Sequence, residues 1–138
     1  MKYLLDTDTS VDLLRGREDV VAALRRHFPD DCALSSISQF ELFSGALKSR
    51  DPESAFAKVQ RFVDTIVLVP FDEAAASRAA NVRSDLEVQG AKIGAYETLL
   101  SGHALALGLV FVTSNTREFS RVEGLELENW RSSGRSGS

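Results

Sequence analysis

The apolar residues of this chain arrive in short bursts, and that pattern constrains the fold more than any other feature. Met1–Leu5, Cys32–Leu34, Ile66–Val69 and Leu109–Val112 are each far shorter than a core helix. They read as nearly continuous apolar stretches, as strands do when both faces of their sheet are covered. The segments between them carry apolar residues at helical spacing and are long enough for crossover connections, which parallel strands require. Strands alternating with helices predict an α/β domain around a mostly parallel sheet of four to five short strands, with helices on both faces.

The start and stop signals place the helices. Ser10 is a cap for a short helix reaching Arg15, with Gly16 as its break. Glu18 to Phe28 carries Val20, Val21, Leu24 and Phe28 at helical spacing and stops before Pro29. A third helix is expected from about Ser38 to Leu47, and a fourth opens at Pro52 with Phe56, Val59, Phe62 and Val63 on one stripe. Asp72 caps a long helix that runs to Gln89, where Gly90 ends it. Another spans Ala95 to Leu107 and stops at Gly108; a short turn of helix at Thr116–Phe119 and a last strand near Leu125–Glu128 complete the domain. The reading gives one domain over 1–131 and a tail over 132–138 (Ser-Ser-Gly-Arg-Ser-Gly-Ser), of the kind an expression vector leaves behind.

Composition excludes several classes. The 138 residues suffice for one self-sufficient core. Apolar residues make up 43% and charged residues 26%, the balance of a globular protein. No apolar run approaches the ~20 residues of a membrane span, and the strand at the N-terminus leaves no room for a leader, so the expectation is a cytoplasmic protein with no membrane partner. A single cysteine, Cys32, excludes an internal disulfide and a thiolate metal cage. The net charge of −4 argues mildly against a nucleic-acid binder unless several acids share one cation that shows positive charge to phosphate.

Where those acids fall is informative. Ligands of open α/β sheets bind beyond the carboxyl ends of the strands. Asp6 ends the first strand, Glu41 lies just past the second, and Asn115 and Glu118 follow the Leu109–Val112 strand. Glu97 starts the helix that feeds that strand, which puts it on the same rim. Gathered acids raise one another's pKa values without a counterion. All-oxygen ligation favours Mg²⁺, with Mn²⁺ as an alternative, over zinc. Such a site hydrolyses phosphodiesters with no covalent nucleophile.

Each acid has a plainer reading. Asp6-Thr7-Asp8 is also a helix cap, and Ser38-Gln39-Phe40-Glu41 is also the capping-box pattern. Glu97 and Glu118 suit helix N-termini in any case. His103 reads as a hydrogen-bonded core residue, and Asp85 and Glu87 as a solvated face.

Four motifs resemble those of one family. Tyr3-Leu4-Leu5-Asp6-Thr7-Asp8-Thr9 resembles the opening of a PIN domain, and Ser36-Ile37-Ser38-Gln39-Phe40-Glu41-Leu42-Phe43-Ser44-Gly45-Ala46 its second motif. Ile93-Gly94-Ala95-Tyr96-Glu97 through His103-Ala104 is similar to the third motif of VapC-type toxins. Val112-Thr113-Ser114-Asn115-Thr116-Arg117-Glu118-Phe119 and the closing Glu128-Asn129-Trp130 are similar to the VapC ending. The resemblance covers about Met1 to Trp130. It implies a PIN-like fold and a Mg²⁺-dependent endoribonuclease, the toxin of a toxin–antitoxin pair, with initiator transfer RNA as the substrate of its enteric-type members. It also implies a homodimer and a cognate VapB-type antitoxin whose C-terminal segment covers the site. By the same resemblance Asp6, Glu41 and Glu97 take the acidic positions, Glu118 or Asn115 the fourth, and Thr7, Ser38 and Thr113 support them.

The chain departs from the pattern at three places. Glu97 stands where Asp is usual, Ala95 where Pro is usual, and Asp8 where Asn is usual, the last adding a further candidate metal ligand. One extra methylene moves a carboxylate by ~1.5 Å, beyond the ~0.5 Å tolerance of a catalytic constellation. A non-catalytic member that keeps its antitoxin is therefore the main alternative. A haloacid-dehalogenase-type phosphatase also begins Asp-x-Asp, but it needs a late pair of aspartates that this chain lacks. For RNA phosphates the basic candidates are Arg15, Lys48, Lys92 and Arg117, close in sequence to the acidic motifs.

Overall fold

The computed structural model describes residues 1–132. Its centre is a five-stranded sheet of β1 (Tyr3–Leu5), β2 (Cys32–Ser35), β3 (Val67–Val69), β4 (Val110–Val112) and β5 (Leu127–Glu128). The order across the sheet is β3-β2-β1-β4-β5, and every pairing is parallel. Leu4 stands between Ala33 and Phe111, and Leu5 between Leu34 and Val112.

Because side chains alternate along a strand, those two rows point to opposite faces. Leu4, Ala33 and Phe111 pack on Leu100 and Ala104 of α6 (Ala95–Leu107), against which α5 (Glu73–Gln89) lies. On the other face Leu5, Cys32 and Val112 meet Val20 and Ala23 of α2 (Glu18–Arg25). There Leu34 meets Leu42 of α3 (Ser36–Leu47) and Val59 and Val63 of α4 (Pro52–Val63). The sheet is therefore covered on both sides, which explains the continuous apolar strands. The remaining helices are α1 (Thr7–Leu14) and α7 (Thr116–Phe119). No helix among the described residues is long and apolar enough to cross a membrane.

Two helix starts correct the sequence reading, and both matter for the rim. The first helix begins at Thr7, not after Ser10: Asp6 is its N-cap, and Ser10 is buried and donates its hydroxyl to the Asp6 carbonyl. The third begins at Ser36 under the cap of Ser35, whose Oγ accepts from Ile37 N. The Ser38–Glu41 pattern is thus a false capping box; Glu41 lies in the second turn with its carboxylate free of any cap. The second helix ends at Arg25, earlier than expected, and Phe28 caps a 3₁₀ turn at Pro29–Asp31 instead. After Trp130 and Arg131, Ser132 donates through N–H and hydroxyl to Asp19. The expected tail beyond it, 133–138, lies outside the described residues.

Candidate active site

A strand handing over directly to a helix makes a tight corner, and two such corners build the rim. At the first, Asp6 leaves β1 and turns its carboxylate back to accept from Thr9 N at 2.7 Å. The Thr113 hydroxyl, at the end of neighbouring β4, bonds it as well. Asp6 is only 5% exposed, and burial pushes its pKa up against the pull of those hydrogen bonds, with the Asp8 carboxylate adding to the rise. No cationic side chain accompanies it among the described residues.

At the second corner, β2 hands over to α3. Thr7 Oγ1 lies 2.6 Å from Glu41 Oε1 and 3.0 Å from Ser38 Oγ. A hydroxyl has one hydrogen, so Thr7 donates to the carboxylate and takes the hydrogen of Ser38. Glu41 is half-buried; burial raises its pKa most, Thr7 opposes the rise, and the carboxylates of Glu97, Asp8 and Asp6 add to it. Those three neighbours show that segments from three parts of the chain meet.

Glu97 is the third residue of α6, after the N-cap Gly94. Its carboxylate folds back over Gly94, in the space a methyl group there would need. Asn115 caps α7, donating its N–H to Thr113 Oγ1 at 3.0 Å, and Glu118 follows one turn later. Asp6, Thr7, Asp8, Glu41, Glu97, Asn115 and Glu118 all line one crevice of about 190 Å³, floored by Leu100 and Phe119.

That crevice takes in every acid singled out from the sequence, with Ser38 and Thr113 buried behind it. The basic candidates are placed differently. Arg15 and Lys48 stand at the far ends of α1 and α3, roughly 12 and 18 Å from the helix starts at 1.5 Å per residue. Lys92 lines a larger cavity with Arg83 between α5 and α6, and Arg117 is exposed on α7. His103 is buried, with Nδ1 2.9 Å from Ser35 Oγ, so it serves the core. Sequence reasoning did not pick out Phe40 and Tyr96, which do not line the crevice but whose rings, on α3 and α6, meet with centroids 6.0 Å apart. Their signal was position: each immediately precedes an acid.

The donor set is all oxygen and suits a hard dication rather than zinc. The carboxylates line the crevice without converging: among the described residues no three His, Cys, Asp or Glu side chains surround a common point. Asp6 is nevertheless held in place from two sides, so the chemistry of the crevice fits a divalent cation.

A parallel α/β sheet with a carboxylate-lined crevice at its carboxyl edge defines the class to which the PIN-domain model belongs, and that model matches residues 3–125. The chain is 36% identical over 133 residues to the tRNA(fMet)-specific endonuclease VapC of Shigella flexneri, covering 94% of this chain and 98% of that one. It superposes on the DNA-bound VapBC crystal structure from Salmonella typhimurium with a TM-score of 0.91 at 33% identity, over 95% of this chain and 99% of the other. For Rickettsia felis VapBC2 bound to a promoter fragment the TM-score is 0.89 at 30% identity, over 95% and 100%. The chain belongs to the PIN-domain family, in its VapC branch. Membership removes the phosphatase alternative. PIN-domain VapC nucleases depend in general on a divalent metal.

Proposed function

We propose that this protein is the endoribonuclease toxin of a VapBC toxin–antitoxin pair, cutting transfer RNA with the help of Mg²⁺ held at the rim. The observation that carries the reading is the single crevice into which β1, α1, α3, α6 and α7 deliver Asp6, Asp8, Glu41, Glu97, Asn115 and Glu118. The Shigella flexneri relative, named for tRNA(fMet), supports initiator transfer RNA as the first substrate to try. The VapBC complexes it superposes on support a VapB-type antitoxin as partner. The reading places the protein in the cytoplasm with its substrate.

Asp6, Glu97 and Asn115 would hold the cation, with Asp8 able to join them, and Glu41 and Glu118 would face the water and the leaving oxygen. When bound, the dication supplies positive charge for the phosphate and acidifies water. The chain does the rest. Thr113 and Thr9 fix the Asp6 carboxylate in one orientation, and Thr7, itself fixed by Ser38, does so for Glu41. Glu97 reaches the rim from a helix start not stiffened by proline, so its longer side chain swings off Gly94 to engage.

Purified, antitoxin-free protein incubated with total RNA, with and without Mg²⁺ or Mn²⁺, then mapped for new 5′ ends, tests this reading. Metal-dependent ends in transfer RNA are expected. Antitoxin binding without cleavage would instead establish the non-catalytic alternative, which the spread of the acids and the Glu97 departure favour.

A further inference from the structure

Phe40 and Tyr96 are large rings left in water, 55% and 42% exposed; the other exposed apolar residues of these helices, Leu47 and Leu107, stand at the far ends of α3 and α6. They lie on different helices, α3 and α6, yet their centroids are 6.0 Å apart with planes tilted by 45°. Each shares a peptide bond with an acid of the crevice, Phe40 with Glu41 and Tyr96 with Glu97, so ring and acid start from Cα atoms ~3.8 Å apart. The two helices that each bring a carboxylate to the crevice therefore also bring two aromatic rings together, one residue away along each helix.

From this geometry we infer that Phe40 and Tyr96 form a stacking platform for an unpaired base next to the phosphate that is cut. The inference rests on the ribonuclease reading and adds to it how the substrate is seated. A net charge of −4 and a rim of acids give little electrostatic hold on RNA. Arg15 and Lys48 stand at the far ends of their helices and Lys92 lines another cavity, which leaves Arg117 on α7 as the basic candidate beside a crevice residue. Bases, by contrast, offer flat apolar faces, and stacking on an aromatic side chain holds them irrespective of charge. The base lies on the outer face of a ring, not between the two. Two carbon contact layers of ~3.5 Å would need about 7 Å, more than the pair leaves. The platform selects unpaired nucleotides, because a base inside a duplex has no free face.

Single-turnover cleavage of an initiator transfer RNA anticodon stem-loop in Mg²⁺, at varied enzyme concentration, separates seating from chemistry. Phe40→Ala and Tyr96→Ala are expected to raise the half-saturating concentration by roughly 5- to 100-fold, the range for one lost stack, with the limiting rate far less affected. Phe40→Trp and Tyr96→Phe are expected to restore it. Abasic substitutions placed singly at the two nucleotides on each side of the cut give the decisive comparison. At one of them the wild-type protein should lose what the alanine variants lose, and the losses should not add. Additive losses at every position, or unchanged saturation, with wild-type cleavage intact, would overturn the platform and leave the ribonuclease reading standing. So would loss of a dimer by the alanine variants in light scattering, which makes the pair a contact between copies. A wild-type protein that cuts no RNA in Mg²⁺ or Mn²⁺ overturns both.

Discussion

Asp6, the N-cap of α1, and Asp12, in the last turn of the same helix, are almost equally hidden, 5% and 7% exposed, yet the chain treats their charges in opposite ways. Asp12 is answered from within: Arg131 grips both oxygens at 2.8 and 2.9 Å, a forked pair that ties the segment after β5 to α1. Trp130, stacked on His27, and Ser132, bonded to Asp19, extend that clasp. Asp6 receives only an N–H and hydroxyls, and the carboxylates of Asp8 and Glu41 beside it carry its own sign. A chain that can supply a guanidinium to one buried aspartate and supplies none to the other keeps the second open for a cation from outside. Burial alone would not have told the two apart; the partner does.

The largest expected effect separates the two on activity. Asp6→Asn keeps a good N-cap for α1 and removes a buried charge, so the melting temperature should hold or rise. Cleavage should fall by at least about 100-fold, since even residues behind the ligands of metal sites typically account for 10- to 100-fold. Unchanged cleavage would remove Asp6 from the site.

Metal binding is the next measure. A cation that binds only the folded state stabilises it by about 2.7 kcal/mol at a hundredfold excess over Kd. Mg²⁺ should therefore raise the wild-type melting temperature by several degrees and that of Asp6→Asn by little. Asp12→Asn should respond as the wild type does. Equal shifts in all three proteins would place the cation elsewhere.

Asp12→Asn is expected to do the reverse of Asp6→Asn. Removing one partner of a fully buried pair costs about 3–5 kcal/mol, but Arg131 is 39% exposed and can rehydrate. A loss of about 1–2 kcal/mol in urea unfolding is expected, with cleavage per folded molecule unchanged.

The comparison also shows what the sequence could and could not carry. The acid at the end of β1 and the helix from Ala95 to Leu107 with Gly108 behind it were legible because their signals are local: an apolar run with a polar end, and a glycine in the left-handed region. The start of α3 was not. Ser35, Ser36 and Ser38 are equally good caps in sequence, and the choice falls to the sheet, which holds Ser35 beside Val69 and so begins the helix at once. Ser10 failed as a cap because Asp6, fixed by β1, reaches Thr9 N first. The Asp12–Arg131 pair spans 119 residues and the Phe40–Tyr96 contact joins two helices far apart in sequence. Such meetings follow from strand order, and no short-range pattern encodes them.

The smallest effect extends the comparison to a buried base that, like Asp12, is answered internally. Burial lowers the pKa of His103, against the pull of Asp72 and a hydrogen bond to the Pro70 backbone. Ser35 Oγ already accepts from Ile37 N, leaving its hydrogen for the bare Nδ1 of His103 at 2.9 Å. Neutral His103 thus supports the cap of α3, the helix that presents Glu41. With the folded pKa below the unfolded 6.5, the folded state resists protonation longer than the unfolded chain. The stability this contributes is complete above 6.5 and drains away as pH falls from there through the folded value. Urea midpoints should therefore decline below pH 6.5, by no more than about 1.4 kcal/mol per pH unit, the limit for one proton. His103→Gln, less stable at every pH, should lose that part of the slope; an identical slope in both proteins would show that His103 titrates freely and leaves the α3 cap alone.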